Sequence, residues 1–79
     1  MRIPRDLSGR ELAAALCHRW GYTKVNQVGS HIILQTQQPT SHRIAVPAHK
    51  AIRVGTLNGL LLAVAHHKGV DRQAILDTL

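Results

Sequence analysis

The chain of 79 residues has no phenylalanine, one tryptophan, one tyrosine, one cysteine and only four acidic side chains. Each shortage excludes something. Modules that read single-stranded bases present several exposed rings as stacking platforms. Trp20 and Tyr22 cannot supply such a set, so any nucleic-acid contact must rest on backbone, shape and a few polar groups. With Cys17 alone, no internal disulfide forms and no paired zinc-ligand spacing exists. A small domain without a disulfide points to a reducing, cytoplasmic setting. No metal and no other cofactor is expected. The longest apolar run, LLLAVA at 60–65, is far too short to cross a bilayer. The opening MRIPRDLSGRE lacks the apolar stretch of a secretion signal.

What is present is positive charge. Ten Lys and Arg against four Asp and Glu give a net charge of +6, which favours a polyanionic partner. The basic residues are scattered singly along the chain and do not gather on one amphipathic helix, so nucleic acid is a better partner than a membrane surface. The length predicts one domain over residues 1–79 with a small core.

Helical and strand periodicities divide the chain cleanly. Ser8 and Glu11 have the spacing of a capping box, with Leu7 and Leu12 as a hydrophobic staple. Leu12, Leu16 and Trp20 then recur on one stripe, and Gly21 suits a left-handed stop, so a helix is predicted over 9–20. Residues 22–28, 31–36 and 42–46 read as three short strands, separated by Gly29–Ser30 and by the turn cluster QQPT, with Pro47 closing the third. Leu57, Leu60, Leu61 and Val64 predict a second helix that ends at Gly69, with His66, His67 and Lys68 suited to its C-terminal turn. Asp71 looks like an N-cap for a short helix over 72–78, with Val70 and Ile75 spaced as a second staple. The expected fold is α+β: a three-stranded antiparallel meander with helices on one face, in the layout of double-stranded-RNA-binding domains.

Strand alternation gives His31 a direction. If Ile32 and Leu34 face the helices, His31 and Gln35 point to the open face. By the same alternation Ile44 and Val46 face in and Arg43 faces out beside the second strand. An imidazole and a guanidinium on one open face suit cleavage of RNA without a metal. A histidine titrates near working pH and can take the ribose 2′-hydroxyl proton, while a cation steadies the phosphoryl oxygens.

Four pieces of the chain carry a family resemblance: IPRDLSGRELAAAL at 3–16, GSH at 29–31, VP followed by His49, and GTL at 55–57 leading into the second helix. In this order and spacing the chain resembles HicA-type toxins of bacterial toxin–antitoxin pairs. The resemblance implies a double-stranded-RNA-binding-like fold, ribonuclease activity on mRNA and neutralisation by a HicB-type antitoxin. It also implies that the histidine of GSH, here His31, is catalytic. Where many relatives carry a second histidine directly after the first, this chain has Ile32. Val28 stands where many have a basic residue. The second proton-transfer group is therefore left unassigned.

Other residues have bland and functional readings side by side. Gly29 suits a positive backbone angle that aims His31, and Ser30 suits either the turn or a phosphate contact. His42 is a candidate for the missing acid or a solvated turn neighbour. His49, Lys50 and Arg53 form a basic loop that can grip phosphates, a role needing only charge and reach. His66 and His67 diverge by about 100° on a helix and cannot share a metal well. Cys17 reads as a small core thiol and Trp20 as core. A non-catalytic RNA-binding module shares the fold and charge. A DNA-binding regulator is a more distant alternative, since residues 55–76 resemble a helix-turn-helix but the last segment is net acidic.

Overall fold

A computed structural model describes residues 6–79; Ile3–Arg5 of the resemblance, Arg2 and most of the opening segment lie outside the described residues. The elements run α1 (Gly9–Arg19), β1 (Thr23–Val28), β2 (His31–Thr36), β3 (His42–Pro47), α2 (Val54–Lys68) and α3 (Arg72–Leu76). The expected α+β order is borne out. The strands form one antiparallel sheet in the order β1-β2-β3.

The local signals explain most of the boundaries. Ser8 Oγ accepts from the Glu11 amide at 3.1 Å while the Glu11 carboxylate accepts from the Ser8 amide at 3.2 Å, so the capping box closes both ways. Gly21 takes φ +73° just beyond α1, and Gly69 takes φ +69° at the end of α2. Asp71 does stand at the N-cap of α3, but its side chain makes no capping hydrogen bond. Val70 stays exposed beside it.

One cluster of buried side chains joins the elements: Leu12 and Leu16 from α1, Ile32 and Leu34 from β2, Ile44 and Val46 from β3, Leu57 and Leu61 from α2, and Ile75 from α3. Each such side chain contributes about 1.5–3 kcal/mol through burial. Their alternation along β2 and β3 puts residues 32, 34 and 36 and residues 42, 44 and 46 on the covered face. The odd-numbered residues of both strands form the open face.

β1 departs from this pattern and is exposed along its whole length. Its pairing with β2 slips at Val25, so Lys24 and Gln27 face the same side as Leu34 and Ile32. Two polar side chains there leave the covered face unfilled. A groove of about 380 Å³ remains between α1 and β1, walled by Ala13, Ala14, Cys17 and Ile32 with Arg10 and Lys24 at its rim. Cys17 is thus partly buried and free. Trp20 packs on the core edge and donates its indole N–H to Thr78 Oγ1 at 3.0 Å.

Candidate active site

His31 is the first residue of β2 and follows a two-residue turn. Val28 pairs with His31 across that turn, and Gly29 has φ +59°. A glycine with positive φ at the first turn position matches the right-handed twist of the flanking strands. The turn therefore delivers His31 to a defined strand position on the open face. Its side chain is exposed, and among the described residues its ring has no hydrogen-bond partner.

Three backbone segments are stitched together around this turn. His31 pairs with Pro47 of β3. The ladder runs one step further, because the Ala48 amide donates to the Ser30 carbonyl. The Gly9 amide, at the start of α1, donates to the His49 carbonyl at 2.9 Å, and the Ile52 amide donates to the Leu7 carbonyl at 2.9 Å. Residues 48–52 are thus held between the Gly29–Ser30 turn and the first turn of α1. Ile52 is buried and anchors this loop, while His49, Lys50 and Arg53 are exposed along it. The loop brings three basic side chains to the end of the sheet that carries His31.

Arg43 is not at this corner. It shares the open face, but it pairs with Gln35, four residues along β2 from His31. At about 3.3 Å per residue this is a separation of about 13 Å. Its guanidinium is engaged there: Nε and an Nη donate to Gln35 Oε1 at 3.1 and 2.6 Å. The expected imidazole–guanidinium pair is therefore not assembled, because the register places the two partners at opposite ends of the strands.

His42 is equally remote. It pairs with Thr36 and lies on the covered face, five residues along β2 from His31, or about 16 Å. It belongs to a second polar cluster. Tyr22 Oη and His42 Nδ1 are hydrogen-bonded at 2.8 Å, and the His42 ring stacks on His67 with centroids 4.3 Å apart. His67 Nε2 donates to the Thr40 carbonyl at 3.0 Å. His67 is thus tied to the β2–β3 connection instead of capping α2. Lys68 donates to Thr36 Oγ1 and the Gln38 carbonyl at 3.0 and 2.7 Å and sits over the Tyr22 ring. Burial, then His67 and Lys68, lower the pKa of His42. Burial pushes the Tyr22 hydroxyl up to about 12 and lowers Lys68. Both effects keep Tyr22 and His42 neutral near pH 7, as a bonded cluster requires.

Among the described residues no three His, Cys, Asp or Glu side chains gather as metal ligands. No helix of the described residues is long and apolar enough to cross a membrane. The helix-turn-helix alternative lacks a reading helix: α3 has five residues, buries Ile75 and Leu76 against the core, and is tied to α2 by an Arg72–Asn58 hydrogen bond.

Residues 9–67 match the family model described as HicA toxin of bacterial toxin–antitoxin. The chain belongs to the HicA toxin family. The matched span holds α1, the whole sheet, the Gly29–Ser30–His31 turn and the basic loop, and it ends within the last turn of α2. No curated protein and no solved structure matches the chain. Membership makes the chain a toxin whose partner is an antitoxin. What sequence reasoning did not place is the backbone of His49, which the Ala48–Ser30 and Gly9–His49 hydrogen bonds hold beside the Gly29–Ser30 turn. The open-face parity of Arg43, Ala45 and Pro47 leads towards residue 49, but β3 ends at Pro47, so the strand pattern alone does not carry it there.

Proposed function

We propose that this toxin is an endoribonuclease that cuts mRNA in the cytoplasm, with His31 removing the proton from the attacking ribose 2′-hydroxyl, and that a HicB-type antitoxin neutralises it. One observation carries the reading: His31 stands exposed on a stiff strand, its ring without a hydrogen-bond partner among the described residues, at the corner where residues 48–53 add basic side chains. A general base must reach its proton and keep its ring nitrogens uncommitted, and an exposed ring on a strand end supports that reading. Gly29 and Ser30 set the ring's position. Lys50 and Arg53 bind flanking phosphates, and Arg43 meets the RNA strand further along the open face. The reaction transfers protons and redistributes phosphate charge, chemistry that imidazole and cationic side chains supply themselves.

The test is to induce wild type and His31→Ala in bacteria and to incubate both purified proteins with labelled mRNA. We expect growth arrest and cleavage with wild type. His31→Ala should lose about 10²–10⁴-fold in cleavage rate, the usual contribution of a positioned acid or base. Undiminished cleavage by His31→Ala would remove His31 from the mechanism. RNA binding by wild type without cleavage would leave a non-catalytic RNA-binding module.

A further inference from the structure

The proposed reaction needs a second proton transfer. As the 2′-oxygen attacks phosphorus, the bond from phosphorus to the 5′-oxygen breaks, and the departing oxygen must gain a proton. On sequence His42 is the candidate for this acid, with Arg43 and His49 read as phosphate contacts, and the geometry separates the three. His42 is about 16 Å away on the covered face, with Nδ1 bonded to Tyr22. Arg43 is about 13 Å away and does not release a proton near neutral pH. His49 remains.

We infer that His49 is the general acid that protonates the 5′-oxygen leaving group while His31 acts as the base; this rests on the ribonuclease reading above. Pro47 is the direct partner of His31, so their Cα atoms are about 4.5–5.5 Å apart. His49 is two residues further, at about 3.8 Å per step, and the Ala48–Ser30 hydrogen bond holds the chain beside the turn at that point. The His49 carbonyl is pinned to the Gly9 amide, which fixes the backbone from which the ring projects. The ring itself is exposed and, like that of His31, has no hydrogen-bond partner among the described residues. Two exposed imidazoles, without hydrogen-bond partners among the described residues, are thus mounted on one backbone-stitched corner, one from β2 and one from the loop after β3. An in-line displacement uses two such groups, one on the attacking oxygen and one on the leaving oxygen. The atoms balance: His31 takes the 2′-hydroxyl proton, the bond from O2′ to phosphorus forms, the bond to O5′ breaks, and O5′ takes a proton from the His49 imidazolium. The products are a 2′,3′-cyclic phosphate and a 5′-hydroxyl.

The discriminating experiment changes the leaving group. A short RNA centred on a linkage that wild type cuts is made in two forms, one ordinary and one with sulfur replacing the 5′-bridging oxygen. A thiolate departs without protonation, so it relieves only the need for an acid. We expect His49→Ala to cut ordinary RNA about 10²-fold or more slowly than wild type. On the sulfur-bridged RNA it should come within about tenfold of wild type, while His31→Ala stays impaired on both. His49→Ala should also lose the alkaline fall of the rate profile and keep the acid-side fall. Circular dichroism, and binding of an RNA blocked by 2′-O-methylation, establish that both variants are folded. His49→Ala cutting ordinary RNA at the wild-type rate, or a slow His49→Ala that sulfur does not rescue, overturns the assignment and leaves His31 in place. Sulfur rescue of His31→Ala reverses the two roles and also overturns it. Full activity of His31→Ala removes His31 from the mechanism, and absence of cleavage by wild type sinks the ribonuclease reading itself.

Discussion

At one end of the sheet His31 and His49 are exposed, with no hydrogen-bond partners among the described residues. At the other end, about 16 Å along β2, His42 and His67 are stacked, hydrogen-bonded to Tyr22 and to the Thr40 carbonyl, and flanked by Lys68. The same side chain serves opposite purposes at the two ends. A histidine whose nitrogens are committed to neighbours ties elements together, here the β2–β3 connection to α2. A histidine mounted on a fixed backbone but left uncommitted is available for proton transfer. The rigidity of the His31 end comes from backbone hydrogen bonds among the turn, residues 48–52 and α1, so its side chains stay free. The far end is held by the side chains themselves. Substitutions should therefore separate the two ends, and those aimed at the backbone should act most strongly at the first.

The largest effect is expected from Gly9→Ala. A Cβ at Gly9 would lie 1.8 Å from the Pro47 carbonyl oxygen and 3.0 Å from the Ala48 Cα. All the obstructing atoms are backbone, so none can rotate aside. Relief requires α1 to move off residues 47–49, breaking the hydrogen bond from Gly9 to His49. Overpacking typically costs 1–3 kcal/mol, and with no flexible neighbour the loss should reach about 3 kcal/mol. That is a large part of the total for a domain of this size. Urea unfolding should show a much lower midpoint, and cleavage should fall with it. A Gly9→Ala protein with wild-type stability would mean that the corner is not stitched as described.

Much of this was legible in the residues, and the reasons are physical. Capping, periodicity and glycine stops are local, so the element order and the inward residues of β2 and β3 followed from short-range spacing alone. The direction of His31 followed from the same alternation. What escaped was register and convergence. Arg43 has the right face, but its distance from His31 depends on pairing with Gln35, which no single strand encodes. The capture of His42 needs His67 from α2, and the placing of His49 needs Gly9 from α1. These are contacts between segments far apart in the chain. The open groove beside β1 escaped for another reason: the slip at Val25 turns Lys24 and Gln27 to the covered face, and a strand pattern read without its partner does not show the bulge.

Tyr22→Phe probes the far end more gently. It removes one hydroxyl, hydrogen-bonded to His42 Nδ1, and keeps the ring that fills the core and lies under Lys68. The loss should be about 0.5–1.5 kcal/mol, which for a domain of this length lowers Tm by a few degrees, on the scale of 4–8 °C per kcal/mol. Cleavage measured well below the melting range should be unchanged. A selective loss of activity in a stably folded Tyr22→Phe protein would couple the two ends and break the division between them.

The smallest effect is the pH dependence of that same cluster. In the folded chain His42 has a lowered pKa, first through burial and then through His67 and Lys68. The unfolded chain binds a proton there near the ordinary value of about 6.5. Below that pH the unfolded state takes up more protons than the folded state, so stability falls as pH drops from about 6.5 towards the lowered folded value. Above 6.5 both states are neutral at His42 and the contribution is flat. The groups facing the ring cannot offset the added charge: Tyr22 stays protonated up to about 12, His67 is a second potential cation and Lys68 already is one. His42 is only partly buried, so solvent screens the repulsion and the effect is modest. The urea midpoint of wild type should be lower at pH 5 than at pH 7.5, and His42→Gln should flatten that slope. An equal slope in the two proteins would show that His42 does not hold the far end as a neutral ring.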